Sequence, residues 1–276
     1  ADGTLGPIIN EVTLLNNDAK ILIKEETEPT LIQLNIVPEP QQTFDLGGTT
    51  IIDDSWQIMP GSEDTFNANY LNQELSTFLG SQLSVSPIDN TATKTIFIGG
   101  PQDLEISSLA VAEGLSLNNL EDPHNQGYVL KVTNDKIIVY ASTVQGRFYG
   151  IITLYWLIEK YGFSIPQVLV HDWPDLEIRG VTTGTYFGTE EEQVDYFAKL
   201  KYNLWVDKPA EYLKVDSPQW AIDNAVALEQ YMNERHFLTS LKFEPNLEEK
   251  NYMEGHQAKN VKFVFDQNDQ MQPNDL

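Results

Sequence analysis

Cysteine is absent from this sequence of 276 residues. Its absence excludes disulfide bonds, thiol catalysis and cysteine-ligated zinc, although it does not select a cellular compartment. Basic residues are also few: 17 lysines and arginines stand against 41 acidic residues, which gives a formal net charge of −24. Such a surface repels nucleic-acid phosphates and anionic membranes, so we expect neither as a partner.

Long apolar runs and cofactor motifs are missing as well. No stretch approaches the ~20 apolar residues of a membrane helix, and no secretory signal peptide is visible. The four histidines lack metal-ligand spacing, and we find no nucleophile elbow, phosphate-binding loop or dinucleotide fingerprint. The sequence therefore predicts no metal and no cofactor. The acidic surface, and a first segment Ala1-Asp2-Gly3-Thr4 that suits a mature chain, favour a secreted, extracellular or periplasmic protein.

Apolar residues make up 41% of the chain, which is enough for sizeable cores. Residues 1–35 carry short strand-like runs between polar stretches, and we interpret them as an N-terminal β extension or linker. Residues 36–175 combine strands with amphipathic helices such as Glu63–Leu79, and a hairpin is predicted over residues 127–141. This region is predicted to be an α+β domain, with a sheet that carries helices on one face.

The most informative stretch runs from Ile137 to Val181. It opens with an apolar strand, after which Ser142 or Thr143 can cap a helix that extends to about Tyr161. Gly146 and Gly150 lie four residues apart, so they share one helix face and allow that face to approach a sheet closely. A second strand, a Trp-Pro corner and a new strand follow. This order indicates a joint between two domains.

Residues 176–276 have a different pattern of secondary structure, in which four predicted strands alternate with helices. This alternation is typical of parallel βα units and predicts a partial (β/α) barrel of about four βα units. A complete barrel needs ~250 residues. Two alternatives are open: the region is the truncated start of a longer barrel, or it folds as something smaller. We expect it to be the less stable part, because an incomplete barrel leaves strand edges unpaired.

An ordered set of residues across the joint resembles a known family. A helix that begins Gly-Arg-Phe-Tyr-Gly is followed by Thr-Leu, a strand, Asp-Trp-Pro and Arg-Gly-Val. This order resembles the end of the accessory α+β domain that precedes the catalytic barrel in the β-N-acetylhexosaminidases of glycoside hydrolase families 20 and 84. The matching residues are Gly146, Phe148, Tyr149, Gly150, Thr153, Leu154, Asp172, Trp173, Pro174, Arg179 and Gly180. The resemblance implies hydrolysis of terminal GlcNAc or GalNAc from a glycan or glycoconjugate.

Candidate substrate-binding residues follow the first two predicted barrel strands, where barrel enzymes place their functional groups. Gly184 and Tyr186 belong to a segment similar to the family 84 loop that lines the sugar pocket, although Thr183 stands in place of a glutamate. An ordinary aromatic turn is the alternative. Lys208 follows the second strand and resembles a family 84 lysine that contacts substrate. For Lys208 the alternative is a solvated loop.

Candidate catalytic residues follow the fourth predicted strand, where Asp266 and Gln267 resemble the Asp-Asp pair of family 84. In that family the 2-acetamido oxygen of the sugar attacks the anomeric carbon, one carboxylate orients the amide, and the other protonates the leaving oxygen. The resemblance assigns the first role to Asp266. Gln267 cannot act as an acid, and Asp269 is a nearby carboxylate out of register. The catalytic pair is therefore incomplete in this sequence.

Two functions remain open at this point. The chain is either part of a hexosaminidase-like glycoside hydrolase or a non-catalytic carbohydrate-binding or scaffold protein with a degenerate or incomplete barrel. The joint favours the first, and Gln267 favours the second. The sequence assigns no oligomeric state.

Overall fold

The computed structural model describes residues 30–86, 93–181, 187–206, 218–242 and 261–264. They form two sheets, an eight-stranded mixed sheet, here called the N-terminal sheet, and a four-stranded parallel sheet, the C-terminal sheet. Among these described residues no helix is long and apolar enough to cross a membrane.

The N-terminal sheet has the strand order β1-β2-β8-β6-β7-β5-β3-β4. Its strands are β1 (Thr30–Leu31), β2 (Gln42–Ile51), β3 (Gln57–Pro60), β4 (Ser84–Val85), β5 (Thr95–Gly99), β6 (Tyr128–Val132), β7 (Lys136–Tyr140) and β8 (Ser164–Asp172). Strands β7, β5, β3 and β4 are mutually parallel, and the remaining neighbours are antiparallel. The predicted hairpin of β6 and β7 is confirmed.

Three helices pack on the N-terminal sheet: α1 (Thr65–Leu79), α2 (Leu104–Ala112) and α3 (Val144–Tyr161). Helices α1 and α3 share one apolar cluster with the inward side chains of β6 and β7, for example Leu130 and Val139. Helix α2 belongs to a second cluster with the alternate side chains Val129 and Ile138. The prediction of helices on one face is therefore wrong. Successive side chains of a strand point to opposite faces, and both faces of β6 and β7 are apolar, so each face needs a cover.

Helix α3 lies close to the sheet because two of its residues have no side chain. A Cβ atom on Gly146 would lie 2.6 Å from the carbonyl oxygen of Gly127, and one on Gly150 would lie 2.5 Å from a methyl group of Val139. Both distances are shorter than contacts that packed atoms tolerate. The predicted role of this glycine pair is confirmed. The Thr143 side chain accepts a hydrogen bond from the Gly146 backbone, 3.1 Å away, and so caps the helix as expected.

Strands β2 and β3 depart from the sequence-based expectation. The sequence predicts a strand only from Thr49 to Asp53, whereas β2 begins at Gln42 and continues through the Gly47-Gly48 pair, which forms a bulge inside the strand. Strand β3 was not predicted. It is short and buried along most of its length, so its sequence shows no alternation. The predicted N-terminal extension lies almost wholly outside the described residues.

The C-terminal sheet contains β9 (Gly180–Val181), β10 (Leu204–Trp205), β11 (Leu238–Lys242) and β12 (Val261–Val264). All neighbouring strands are parallel and lie in chain order. Helix α4 (Glu190–Lys199) connects β9 to β10, and α5 (Gln219–Glu234) connects β10 to β11. The predicted alternation of strands and helices is confirmed for these elements.

The two sheets share one apolar core. Buried side chains from α4, β10, α5 and the residue before β11 belong to the same cluster as α1 and α3; they are Val194, Phe197, Ala198, Trp205, Leu228, Met232 and Phe237. Hydrogen bonds cross the same boundary, since Trp156 Nε1 donates to the Lys199 carbonyl at 2.6 Å and Lys199 Nζ donates to Glu74 at 2.8 Å. The C-terminal sheet is therefore docked on the face of the N-terminal sheet that carries α1 and α3.

Candidate functional site

The carboxyl ends of the four parallel strands lie along one edge of the C-terminal sheet. Val181 at the end of β9 is level with Trp205 at the end of β10, and Trp205 is level with Thr239 in β11. Lys242 and Val264 end β11 and β12 at the same level. Loops that leave these ends all start on the same edge of the sheet, which is the arrangement that supports active sites in parallel α/β folds.

Every predicted site residue directly follows one of these strand ends in the sequence. Gly184 and Tyr186 follow β9, Lys208 follows β10, and Asp266 and Asp269 follow β12. All five lie outside the described residues, so their roles stay predictions.

The described polar groups converge instead at the joint between the two sheets. Asp172, at the end of β8, accepts a hydrogen bond from the Gln41 backbone at 3.1 Å on one oxygen. Its other oxygen accepts from Lys201 Nζ at 2.7 Å and from the Tyr128 hydroxyl at 2.8 Å. Tyr128 also hydrogen-bonds Thr153. The Lys201–Asp172 pair therefore connects the chain just after α4 to the last strand of the N-terminal sheet.

Burial sets the electrostatics of this pair. Only 8% of the Lys201 side chain and 11% of the Asp172 side chain are exposed. Removal from water lowers the pKa of Lys201, while the adjacent Asp172 carboxylate opposes that shift. Burial and the same carboxylate raise the pKa of Tyr128 well above its ordinary value, so its hydroxyl stays protonated and donates. Lys201 Nζ also donates to the Tyr128 hydroxyl at 2.8 Å, so two groups of the N-terminal sheet hold the ammonium group at the joint.

Arg179, which precedes β9, connects the C-terminal sheet to the same joint. Its backbone N–H donates to Asn203 Oδ1 at 2.7 Å, and its Nε donates to the Lys201 carbonyl at 2.8 Å. Its guanidinium lies 5.1 Å from the centroid of the Tyr149 ring. A cavity of about 210 Å³ lies against these groups and is lined in part by Asp172, Trp173, Asp175 and Arg179.

Asp172 and Arg179, two of the residues that carried the resemblance, thus act in docking. Sequence reasoning singled out Asp172 and Arg179 but missed Lys201, because no local pattern marks a partner 29 residues away. Among the described residues no group of histidine and carboxylate side chains is arranged to hold a metal ion.

A known protein family matches the part of the chain that forms the N-terminal sheet. The family model for glycosyl hydrolase family 20, domain 2, matches residues 33–173, which contain all of the N-terminal sheet except β1.

Solved structures with a similar fold include members of glycoside hydrolase families 20 and 84. CpGH84B matches with a TM-score of 0.63 and 21% identity over 84% of this chain and 43% of its own. The β-N-acetylhexosaminidase of family 20 from Streptomyces coelicolor A3(2) matches with 0.56 and 17% identity, over 79% of this chain and 48% of that one. The exo-β-N-acetylglucosaminidase of family 20 from Vibrio harveyi matches with 0.55 and 13% identity, over 78% and 38%.

This chain spans less than half the length of each of these three structures. At such identities the likeness is one of fold. The family match covers just over half of the chain and includes the Gly-Arg-Phe-Tyr-Gly helix and the Asp172-Trp173 pair at the end of β8. The chain therefore belongs to the family described as glycosyl hydrolase family 20, domain 2.

Proposed function

We propose that this chain is part of a β-N-acetylhexosaminidase-type glycoside hydrolase that acts on terminal GlcNAc or GalNAc of a glycan. In this proposal residues 36–175 form the accessory α+β domain, residues 176–276 begin a (β/α) barrel, and residues 1–35 are a β extension. A secreted, extracellular or periplasmic location is part of the same proposal.

One observation carries the proposal. Directly after the family 20 match, β9 to β12 run parallel and in chain order, as the first strands of a barrel do. The structural likeness to CpGH84B covers 84% of the chain, which reaches beyond the residues of the family match. This wider likeness agrees with a barrel start on a family-typical accessory domain.

The proposed active site lies at the carboxyl edge of the C-terminal sheet. Asp266 would orient and polarise the 2-acetamido group, whose oxygen bonds to the anomeric carbon as the glycosidic bond breaks. Asp269 is the nearest carboxyl group in the sequence that could protonate the leaving oxygen. Gly184 and Tyr186 would line the sugar, and Lys208 would hydrogen-bond a hydroxyl.

Gln267 supports a second candidate function, that of a non-catalytic protein. Gln267 stands where family 84 has its second carboxylate, and an amide cannot supply the proton that the leaving group needs. A non-catalytic carbohydrate-binding or scaffold protein would keep the fold and lose this acid.

The test is hydrolysis of 4-nitrophenyl N-acetyl-β-D-glucosaminide by the chain and by two variants. If the hydrolase proposal holds, Asp266→Ala lowers kcat/KM by about 10²–10⁴-fold, while Asp275→Ala, a carboxylate loss in the same stretch, leaves it unchanged. Absence of turnover in a folded chain that still binds N-acetylglucosamine would overturn hydrolysis and support the binding protein.

The Gln267→Asp variant separates the two functions further. Restoring an acid beside Asp266 raises turnover in a degenerate active site. In an active enzyme that uses Asp269 as its acid, the same change leaves the rate the same or lowers it.

A further inference from the structure

The cavity of about 210 Å³ at the joint lies where the chain passes from the N-terminal sheet to the C-terminal sheet. Asp172 ends β8 on one side of it, and Arg179 and Lys201 precede β9 and β10 on the other. The cavity therefore borders the amino ends of these two strands, the edge opposite to the strand ends that precede the predicted catalytic residues. A ligand here would occupy a second site, separate from the proposed active site.

Three polar side chains around this cavity, Glu39, Gln41 and Asp175, belong to exposed residues. The Glu39 carboxylate is held in place because the backbone N–H groups of Leu34 and Ile36 donate to its two oxygens at 2.6 and 3.1 Å. Gln41 Nε2 donates to Asp175 Oδ1 at 3.3 Å. Both carboxylates can accept further hydrogen bonds, since an ionised carboxylate has about four acceptor positions. They are oriented acceptors that a ligand can reach.

The same wall contains a donor whose position is fixed. Arg179 is half-buried, and its Nε and Nη1 donate to the backbone carbonyls of Lys201, Leu176 and Glu177. These bonds use three of the five N–H groups of the guanidinium. Donor capacity for a ligand therefore remains on Nη2.

The charges around the cavity decide which ligands fit. Lys201 and Asp172 are paired with each other at 2.7 Å, so together they add no net charge to the wall. The remaining charged groups of the lining are the Glu39 and Asp175 carboxylates and the Arg179 guanidinium. An anion would meet two carboxylates, in a chain whose formal net charge is −24. A hydroxyl group can donate to a carboxylate and also accept from the guanidinium. The mixed wall therefore favours a ligand with several hydroxyl groups and no negative charge.

The size and the apolar surface of the cavity narrow the ligand further. Pockets for drug-sized ligands measure roughly 300–1,000 Å³, and the observed 210 Å³ is smaller. Pro38, Trp173, Pro174 and Leu200 supply the apolar part of the lining. A single sugar ring matches this combination, because its C–H face can lie on the apolar wall while its hydroxyl groups reach the polar side chains.

We propose that this cavity binds a polyhydroxylated molecule of monosaccharide size that carries no negative charge. Its hydroxyl groups donate to Glu39 and Asp175 and accept from Arg179. Because the lining comes from both sides of the joint, the bound ligand should stabilise the docking of the two sheets and raise the Tm. The site does not depend on hydrolysis and stands or falls separately from the proposed function.

The test follows the indole N–H signals of the tryptophans by ¹⁵N NMR during titration with D-glucose, D-glucuronate and tetrahydropyran. The chain has five tryptophans, so Trp173 can be assigned with Trp173→Phe, and the others serve as internal references. We expect glucose to shift the Trp173 signal saturably, with a Kd of about 1 mM. Glucuronate adds a carboxylate to the sugar, and tetrahydropyran is the ring without hydroxyl groups. Both should leave the signal in place.

Two carboxylate variants make the test specific. Asp175→Ala removes one acceptor from the cavity and should weaken glucose binding about tenfold. Asp54→Ala removes an exposed carboxylate that does not line the cavity and should leave the affinity unchanged.

Three results would contradict the proposal. No saturable shift at about 100 mM glucose, far above the expected Kd, would overturn it as a whole. Equal binding of glucuronate would overturn the exclusion of anions by the two carboxylates. Equal binding of tetrahydropyran would show that the apolar wall acts alone and would overturn the role of the hydroxyl groups.

Discussion

The N-terminal and C-terminal sheets differ in how they are stabilised. The N-terminal sheet has helices on both faces and a second apolar cluster of its own around α2. The C-terminal sheet contributes its buried residues, such as Phe197, Trp205 and Met232, to the cluster that α1 and α3 already form. The described C-terminal residues therefore obtain much of their core from the N-terminal part.

The buried charges show the same difference. Arg147 in α3 pairs with Asp64, which precedes α1, and neither side chain is exposed. That pair lies within the N-terminal part. Lys201, by contrast, reaches Asp172 across the joint. The comparison indicates that the N-terminal part can keep its fold alone, whereas the C-terminal part depends on docking.

The largest effect is expected from Asp172→Ala, which breaks the docking directly. The change leaves the Lys201 ammonium buried without its carboxylate and should lower the free energy of unfolding by about 3–5 kcal/mol. Urea unfolding measures it. Asp175→Ala is the matched control, because Asp175 is an exposed carboxylate close to the same corner. Similar small losses in both variants would show that the buried pair does not hold the joint.

A second substitution, Gly146→Ala, should destabilise the N-terminal part itself. Gly146→Ala places a methyl group against the backbone of Gly127, so α3 must move away from the sheet. We expect a loss of about 1–3 kcal/mol in the free energy of unfolding. Glu159→Ala, at an exposed position of the same helix, should change it little. If Gly146→Ala is as well tolerated as this control, the close approach of α3 is not required.

Acid should loosen the joint through His236. Its pKa in the folded protein is about 4, against an ordinary value of 6.5, because burial disfavours the charged ring. Between these values the unfolded chain binds the proton and the folded chain does not. Stability is therefore complete above pH 6.5 and falls toward pH 4, by up to about 1.4 kcal/mol per pH unit.

The His236→Gln variant isolates this contribution, since burial lowers the pKa of His171 as well and adds a slope in the same direction. The free energy of unfolding of the variant, measured from pH 7.5 to pH 4.5, should fall less steeply than that of the unmodified chain. Parallel profiles would contradict the assignment to His236.

The smallest effects are expected at two helix caps. Thr189 and Glu192 form a reciprocal capping box at the start of α4, and Thr143 caps α3. Replacement of either threonine by alanine should cost about 1 kcal/mol. If the C-terminal part is the less stable one, Thr189→Ala should speed hydrogen exchange in α4 alone, whereas Thr143→Ala should lower the Tm of the whole chain. If Thr189→Ala lowered the Tm of the whole chain and Thr143→Ala acted only on α3, the N-terminal part would be the less stable one.

Local features of the fold could be predicted from the sequence. Helices α1 and α3 were predicted close to their observed bounds, because caps and apolar periodicity act within a few turns. The role of Gly146 and Gly150 followed from their spacing alone. For the candidate site, the sequence supplied the residues that follow β9, β10 and β12, and their roles stay predictions.

The sequence by itself thus determined which segments form helices and parallel strands, and which family the N-terminal part resembles. Only the tertiary structure decided that α2 covers the opposite face, that Lys201 pairs with Asp172, and that Glu39, Asp175 and Arg179 border one cavity. Periodicity and capping are properties of neighbouring residues. A contact between distant residues depends on how whole elements pack, and no local pattern carries that information.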